Sequence, residues 1–511
     1  MQTVSIDGEH LTIEEIVAVA RDGAKVTLSP VAREAIHTSH RWVEDIIASG
    51  APVYGINTGF GVFAEKRILP EESAQLSRNL ILSHAVGTGP AFDDEVVRAA
   101  ILVRANTLAK GYSGVRVEVV DTLLALLNQN LTPIVPSQGS LGSSGDLAPL
   151  SHMALVFTKD EDDDESQSGL ARYQGEILTG KTAMARAGID RIILGAKEGL
   201  ALSNGATFSA AIGALAVFDA ETLLNAGELS LAMSLEALMG CSDAFDERLH
   251  KARGFRGQMR VAEALRLLVK GSTLINQCGF VQDAYSLRCA PQVQGICWET
   301  LDFVRGVVDI EINAATDNPL LFEPGIALSG GNFHGEPVGI AMDYLGIALT
   351  ELASISERRT YRLTDSHHNA GLPPMLVNQP EDAGLNSGMM MPQYTAASLV
   401  LENRTLAAPD SVHSLPASGQ KEDHNANATT AARHASEIVK NTAHVLAIEL
   451  YTAARALDLR LRQNPQAELG VGTKQAHQAI RDVVPYQPGD ALWGPEIEQV
   501  RAMILSKALE L

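Results

Sequence analysis

Three long Ala- and Leu-rich segments, residues 208–239, 340–359 and 434–462, do most to limit what this chain can fold into. Their apolar residues recur at helical period, and each is far longer than an ordinary strand. Helices of that length need broad apolar partners, which a long-helix bundle supplies. Residues 200–218 carry no charge, which raises the question of a membrane span. Ser203, Asn204, Thr207 and Ser209 interrupt that run and Ala and Gly enrich it, so it reads as a buried helix of a large core. With 46% hydrophobic and 20% charged residues the chain can fill such a core, and disorder or a fibrous repeat is excluded.

Helical signals also dominate the N-terminal part. Thr12 and Glu15 form a capping box, and Asp93, Asp94 and Glu95 open a helix that continues through Val97, Ile101 and Leu108 to Gly111. Val119, Val120, Leu123, Leu124 and Leu127 repeat at helical spacing before Pro133. Strand-like alternation is limited to short pieces such as residues 25–28. The expected fold is mainly α, a long-helix bundle core (196–511) with a loop-rich, mostly helical N-terminal domain (1–195).

The 511 residues carry a formal charge of −21, which argues against a nucleic-acid partner or an anionic membrane surface. Small-molecule chemistry or binding to another protein remains. Cys241, Cys278, Cys289 and Cys297 include no CxxC pair, so no zinc site is expected. Their sparseness and the absence of a signal-peptide pattern point to the cytoplasm. The acidic run at residues 160–165 lacks EF-hand spacing and reads as a solvated loop. His37/His40 and His367/His368 have no third ligand at sensible spacing and read as structural.

The most unusual stretch is Gly139-Ser140-Leu141-Gly142-Ser143-Ser144-Gly145-Asp146-Leu147-Ala148-Pro149-Leu150. A P-loop needs a Lys that is missing, and no serine here has the flanking glycines of a nucleophile elbow. The serine loop of the fumarase and aspartase superfamily continues into Met-Pro and Lys, whereas this one continues into Asp146. Self-processing is the fourth reading. In a tight Ser-Gly turn the Gly145 nitrogen can attack the carbonyl carbon two residues upstream, unobstructed by a side chain. Loss of two waters then converts Ser144 into an exocyclic methylidene.

Ser144-Gly145-Asp146-Leu147-Ala148-Pro149-Leu150-Ser151-His152 resembles the signature of the aromatic amino acid ammonia-lyases, and within them the histidine ammonia-lyases. The resemblance covers nearly the whole chain. Tyr54-Gly55-Ile56-Asn57-Thr58-Gly59-Phe60-Gly61 resembles the family's mobile tyrosine loop. Residues 202–205, 282–289, 316–319 and 330–334 and Glu422-Asp423-His424 match later blocks in order.

The resemblance implies elimination of ammonia from an aromatic L-amino acid. The electrophile would be a methylidene-imidazolone formed from Ser143-Ser144-Gly145, with no external cofactor and no metal. Tyr54 would take the β-proton. Arg288 would pair with the substrate carboxylate as a bidentate fork. Asn204 and Gln282 would orient the ring oxygen and the substrate, Tyr285 would place a second hydroxyl near the amine, and Phe333 would line the cavity. A homotetramer with sites assembled from more than one subunit is also implied.

Ser83-His84 occupies the position resembling the family's selectivity switch, in the form histidine lyases show. Glu422 could hold an imidazole N–H, and Met390 would pack on the ring. L-histidine, giving trans-urocanate, is therefore the expected substrate. Ser143 stands where Ala is usual, Ala206-Thr207 replace Thr-Gln, Lys421 replaces Gln, and Asn425-Ala426-Asn427 replace a more apolar run. These departures are expected to cluster around the pocket. They keep open another aromatic amino acid, such as tyrosine, phenylalanine or a ring-substituted phenylalanine, or a betaine losing trimethylamine as an ergothionase substrate does. A non-enzymatic helical scaffold is the remaining alternative.

Overall fold

The computed structural model describes residues 3–277, 279 and 281–510. Cys278 lies outside the described residues; Cys289 and Cys297 are free thiols. Helices carry the fold. Among the described residues no sheet has more than three strands, and several are two-residue pairings. The expected mainly α class is what the structure has.

The chain forms two compact units. The first comprises the chain up to Phe218, Arg305–Asp343 and Pro409–Arg433; the second comprises Asp219–Val304, Tyr344–Ala408 and the chain from His434. This differs from a single boundary at 195/196. Most division points fall inside long helices, Thr207–Ala237, Ala290–Glu311, Glu336–Thr364 and Ala428–Gln463, so no loop marks them in the sequence.

In the first unit, Thr12 caps the helix Ile13–Ala20 through the expected box with Glu15. The Asp94–Ala109 helix is buried over almost its whole length. Its Arg98, itself buried, closes the helix Ile13–Ala20 by donating to the carbonyls of Val19 (2.8 Å) and Ala20 (3.2 Å). Thr3–Ile6 pairs in parallel with Lys25–Leu28, the strand expected from alternation. A hairpin Leu170–Tyr173/Glu176–Thr179 turns at Gln174-Gly175, where both residues have positive φ. The acidic run is less solvated than expected: Arg191 and Lys181 pair with Asp163, and Arg78 lies 3.9 Å from Asp160.

The second unit is held by apolar helix faces and by buried polar knots, of which the one at Glu449 uses both carboxylate oxygens. Glu449, fully buried, accepts from Ser234 (2.7 Å), Ser356 (2.6 Å) and both Nε and Nη2 of Arg359 (2.5 and 2.8 Å). A buried carboxylate is tolerable only when so paired. Two helices, Thr207–Ala237 and Glu336–Thr364, are long and apolar enough to cross a membrane, but 83% and 67% of their apolar windows are buried in protein. The uncharged run itself breaks at Asn204, between the helix Glu198–Ser203 and the one beginning at Thr207.

Candidate active site

A cavity of about 890 Å³ opens in the first unit. Tyr54, Ser83, His84, Ser144, Asn204, Phe333 and Glu422 line it, together with Phe60, Lys66, Leu147, Leu200, Asn318, Ser418 and Lys421. Residues distant in sequence meet here because several segments converge, among them the tyrosine loop, the end of the helix Ser73–His84, the serine-rich loop and a turn at 417–422.

Tyr54 enters on a segment tied down from both sides. Asn57 accepts from the Val53 amide (2.7 Å) and donates to the Ala51 carbonyl (2.8 Å). The buried Ile56 packs with Val43, Ile46 and Leu321. Gly55 has φ +72°, and a Cβ there would come within 2.7 Å of Leu200.

The serine-rich loop lies against the Asn204-Gly205 break. Ser144 accepts two hydrogen bonds at its carbonyl oxygen, from Asn204 Nδ2 (2.8 Å) and the Gly205 amide (3.1 Å). The Asp146 amide returns a bond to the Gly205 carbonyl (2.9 Å). Gly145 has φ +77°, and a Cβ there would stand 2.1 Å from the Gly205 carbonyl carbon. No other residue fits. Asp146, fully buried, anchors the loop by accepting from Ser140 (2.9 Å), the Ser209 amide (2.9 Å) and Thr429. Beneath it, burial pushes the Glu311 carboxyl up to about 7, with Asp146 adding to the shift. Burial also lowers the Arg104 guanidinium to about 10; it donates to the Ala201 carbonyl and to Thr207.

Two acceptors face this site. His84 Nδ1 lies 2.8 Å from the Leu80 carbonyl, which can only accept, so the proton of the neutral ring sits on Nδ1 and leaves Nε2 as an acceptor. Burial lowers the His84 pKa, partly offset by the Leu80 carbonyl and Glu422, which favours that neutral form. Glu422 is held at its backbone by paired bonds with Ala417 and at its side chain by Ser143 Oγ, which donates to Oε2 at 2.6 Å.

The structure thus gathers Tyr54, His84, Ser144, Asn204, Phe333 and Glu422 at one cavity, with Ser143 bonded to Glu422 and Gly145 in the backbone beneath. Gln282, Tyr285, Arg288 and Met390 do not line it; they belong to the second unit. Tyr285 is 69% exposed there, with the Arg288 guanidinium 4.8 Å from its ring centre, and Arg288 Nε has no hydrogen-bond partner. The cavity's described lining contains no arginine; its cations are Lys66 and Lys421. Sequence reasoning missed Lys66, whose only signal is its place just after the tyrosine loop. The departures do not all surround the pocket as expected. Lys421 lines it and Ser143 touches its carboxylate, but Thr207 binds Arg104, and Ala206 and Asn425 to Asn427 are absent from the lining.

The fold and these residues can be set beside known proteins. The family model "Aromatic amino acid lyase" matches residues 11–482. "Histidine ammonia-lyase 2" of Fusobacterium nucleatum is 48% identical over 510 residues, covering 99% of this chain and 97% of that protein. The crystal structure of histidine ammonia-lyase from Trypanosoma cruzi superposes with a TM-score of 0.90 at 36% identity, covering 99% of this chain and 94% of that one. Tyrosine aminomutase from Streptomyces globisporus superposes with a TM-score of 0.92 at 34% identity, covering 99% and 97%. One fold therefore serves more than one reaction, and substrate has to be argued from the site. The chain belongs to the aromatic amino acid lyase family.

Proposed function

We propose that this protein is a carbon–nitrogen lyase that removes ammonia from L-histidine to give trans-urocanate. The observation that carries the substrate is the pair of acceptors at the cavity, neutral His84 Nε2 and the Glu422 carboxylate. A neutral imidazole presents one ring N–H to either of them, and an imidazolium one to each. A phenyl ring would leave His84 Nε2 and the second Glu422 oxygen without a donor, which costs more than a lost contact. Histidine ammonia-lyase relatives at near-half identity over almost the full chain support the same reading.

The residues present fit a methylidene-imidazolone made from Ser143-Ser144-Gly145. Gly145 is the one residue type the contact with Gly205 admits, and the carbonyl that would become the ring oxygen already holds two donors. Such a group would supply an electrophilic methylidene carbon toward the substrate amine, making the amine a better leaving group. Asn204 and the Gly205 amide, already donating to the Ser144 oxygen, would hold the ring oxygen and stabilise charge developing there, as preorganised donors do. Tyr54 accepts the β-proton, and Phe333, Leu147 and Leu200 exclude water around the ring.

The substrate carboxylate requires a cationic fork that the cavity's described lining lacks. Tyr285 is exposed and Arg288 stands half-buried beside it with an unpartnered Nε, and we assign the pair to the cavity of a neighbouring subunit in a homotetramer. Exposed apolar stripes support assembly: Ile296, Phe303 and Ile310 recur at seven-residue spacing on one helix, and Ile340, Tyr344 and Ile347 at helical spacing on another. Sparse free thiols favour a cytoplasmic setting.

The test is a substrate panel on purified protein, L-histidine, L-tyrosine, L-phenylalanine and ergothioneine, followed by absorbance of the conjugated acid. Urocanate from histidine is expected, with borohydride sensitivity. Turnover of another member without histidine would overturn the substrate while leaving the chemistry; no turnover and no electrophile would overturn both.

A further inference from the structure

Ser143 is the residue whose role the chemistry above leaves open. Ring closure would consume its carbonyl oxygen and the Ser144 hydroxyl as water, and its own hydroxymethyl group takes no part. Yet that hydroxyl is 7% exposed as a residue and donates to Glu422 Oε2 at 2.6 Å, a short charge-assisted bond between segments 279 residues apart.

Glu422 needs such a partner. Its backbone is fixed against Ala417, but a glutamate side chain has several rotatable bonds that a turn does not restrain. Lys421 stands beside it in sequence and also lines the cavity, as do Lys66 and His84. An ammonium is a mobile point charge able to draw a carboxylate off any one geometry. The Ser143 bond occupies one carboxylate oxygen and leaves Oε1 with no side-chain bond to a described residue.

We infer that Ser143 is a positioning residue: its hydroxyl fixes Glu422 so that the second carboxylate oxygen meets a ring N–H, which makes Ser143 a determinant of selectivity for imidazole over phenyl substrates. The inference rests on the histidine reading above and deepens it.

The test uses full-length protein in two backgrounds. In Ser144→Ala, which cannot make the electrophile, calorimetry measures binding of 3-(imidazol-4-yl)propionate and of 3-phenylpropionate. Adding Ser143→Ala should weaken the imidazole ligand about tenfold or more, the worth of a hydrogen bond to a charged group, and leave the phenyl ligand within about twofold. Ser143→Thr, which keeps the hydroxyl, should restore most of the loss. In a Glu422→Ala background Ser143→Ala should add nothing, because the group it positions is gone. In otherwise unaltered enzyme, Ser143→Ala should raise KM for L-histidine more than it lowers kcat. Equal weakening of both ligands, no weakening, or an undiminished effect without Glu422 would overturn the assignment. If the parent enzyme leaves L-histidine untouched, the functional reading has failed; if it turns histidine over and Ser143→Ala binds the imidazole ligand as tightly as before, only the positioning role has.

Discussion

Gly145→Ala should damage this protein far more than its size suggests, and the structure supplies its own control. Gly145 and Gly175 both have positive φ, +77° and +83°. A Cβ at Gly175 meets nothing within 4 Å, whereas at Gly145 it would lie 2.1 Å from the carbonyl carbon of Gly205 and 2.3 Å from its oxygen. Both alanine variants bear the left-handed penalty of about 1–2 kcal/mol. Only Gly145→Ala must also push the serine-rich loop away from Gly205. That movement breaks or stretches three bonds: Asn204 Nδ2 and Gly205 N to the Ser144 carbonyl, and Asp146 N to the Gly205 carbonyl. At about 1 kcal/mol each, the extra cost is about 3 kcal/mol, or roughly two orders of magnitude in the population of the intact arrangement. Denaturant unfolding should show Gly145→Ala the less stable by that difference. Histidine turnover and borohydride-sensitive absorbance should be lost in Gly145→Ala and kept in Gly175→Ala. Equal destabilisation, with the electrophile retained in both, would refute the claim that the close approach of the loop to Gly205 builds the site.

Glu311→Gln tests the buried acid below the loop. Its carboxyl is pushed from 4.5 up to about 7 in the fold, so between those pH values the unfolded chain releases a proton the native state keeps, and stability falls as pH rises by up to roughly 3 kcal/mol. The glutamine variant should match the parent near pH 5 and exceed it at pH 8 in denaturant unfolding; a pH-independent difference would count against the shift. Tyr54→Phe should lower kcat by several orders of magnitude with little change in the binding of 3-(imidazol-4-yl)propionate, and an unchanged rate would remove Tyr54 from proton transfer. Burial pushes the Cys297 thiol up to about 12, so iodoacetamide should leave it unmodified in folded protein while labelling the half-buried Cys289. Mass spectrometry showing Cys297 labelled first would contradict its burial.

What the sequence discloses follows the range of the forces involved. Local rules are legible: the Thr12/Glu15 box, the helical periods and the strand 25–28 all sit where short-range patterns put them. The hairpin at Gln174-Gly175 is not legible, because its second strand, Glu-Ile-Leu-Thr, sets two apolar residues side by side and shows no alternation. The division into units was illegible for a different reason. Helices such as Thr207–Ala237 and Ala428–Gln463 run across the division points without any change of composition or turn residue. At the site, motif residues could be named individually, but not which would share a cavity. Gln282, Tyr285, Arg288 and Met390 carry the family pattern as strongly as Tyr54 does, yet they stand outside the cavity that Tyr54 lines.

The departures from the family pattern can now be weighed by what each side chain touches. Thr207 is spent on the buried Arg104, and Ala206 is buried beside it. Asn427 is committed to the serine-rich loop, its amide to the Leu141 carbonyl and its side chain to Asp410 and His413. Ala426 stands where a Cβ added at Gly142 would come within 3.3 Å, so its small size matches that close packing. These changes therefore act on the loop that would carry the electrophile rather than on the substrate ring. Lys421 and Ser143 are the two with a path to specificity, one by charge in the cavity and the other by its bond to Glu422. They oppose each other: an ammonium beside Glu422 competes for the carboxylate, and the serine hydroxyl holds one of its oxygens in place. If both act through Glu422, Lys421→Gln should reduce the penalty of Ser143→Ala on imidazole-ligand affinity, because the competitor for the loosened carboxylate is gone. A double-mutant cycle returning independent effects would mean that the two substitutions reach the substrate separately.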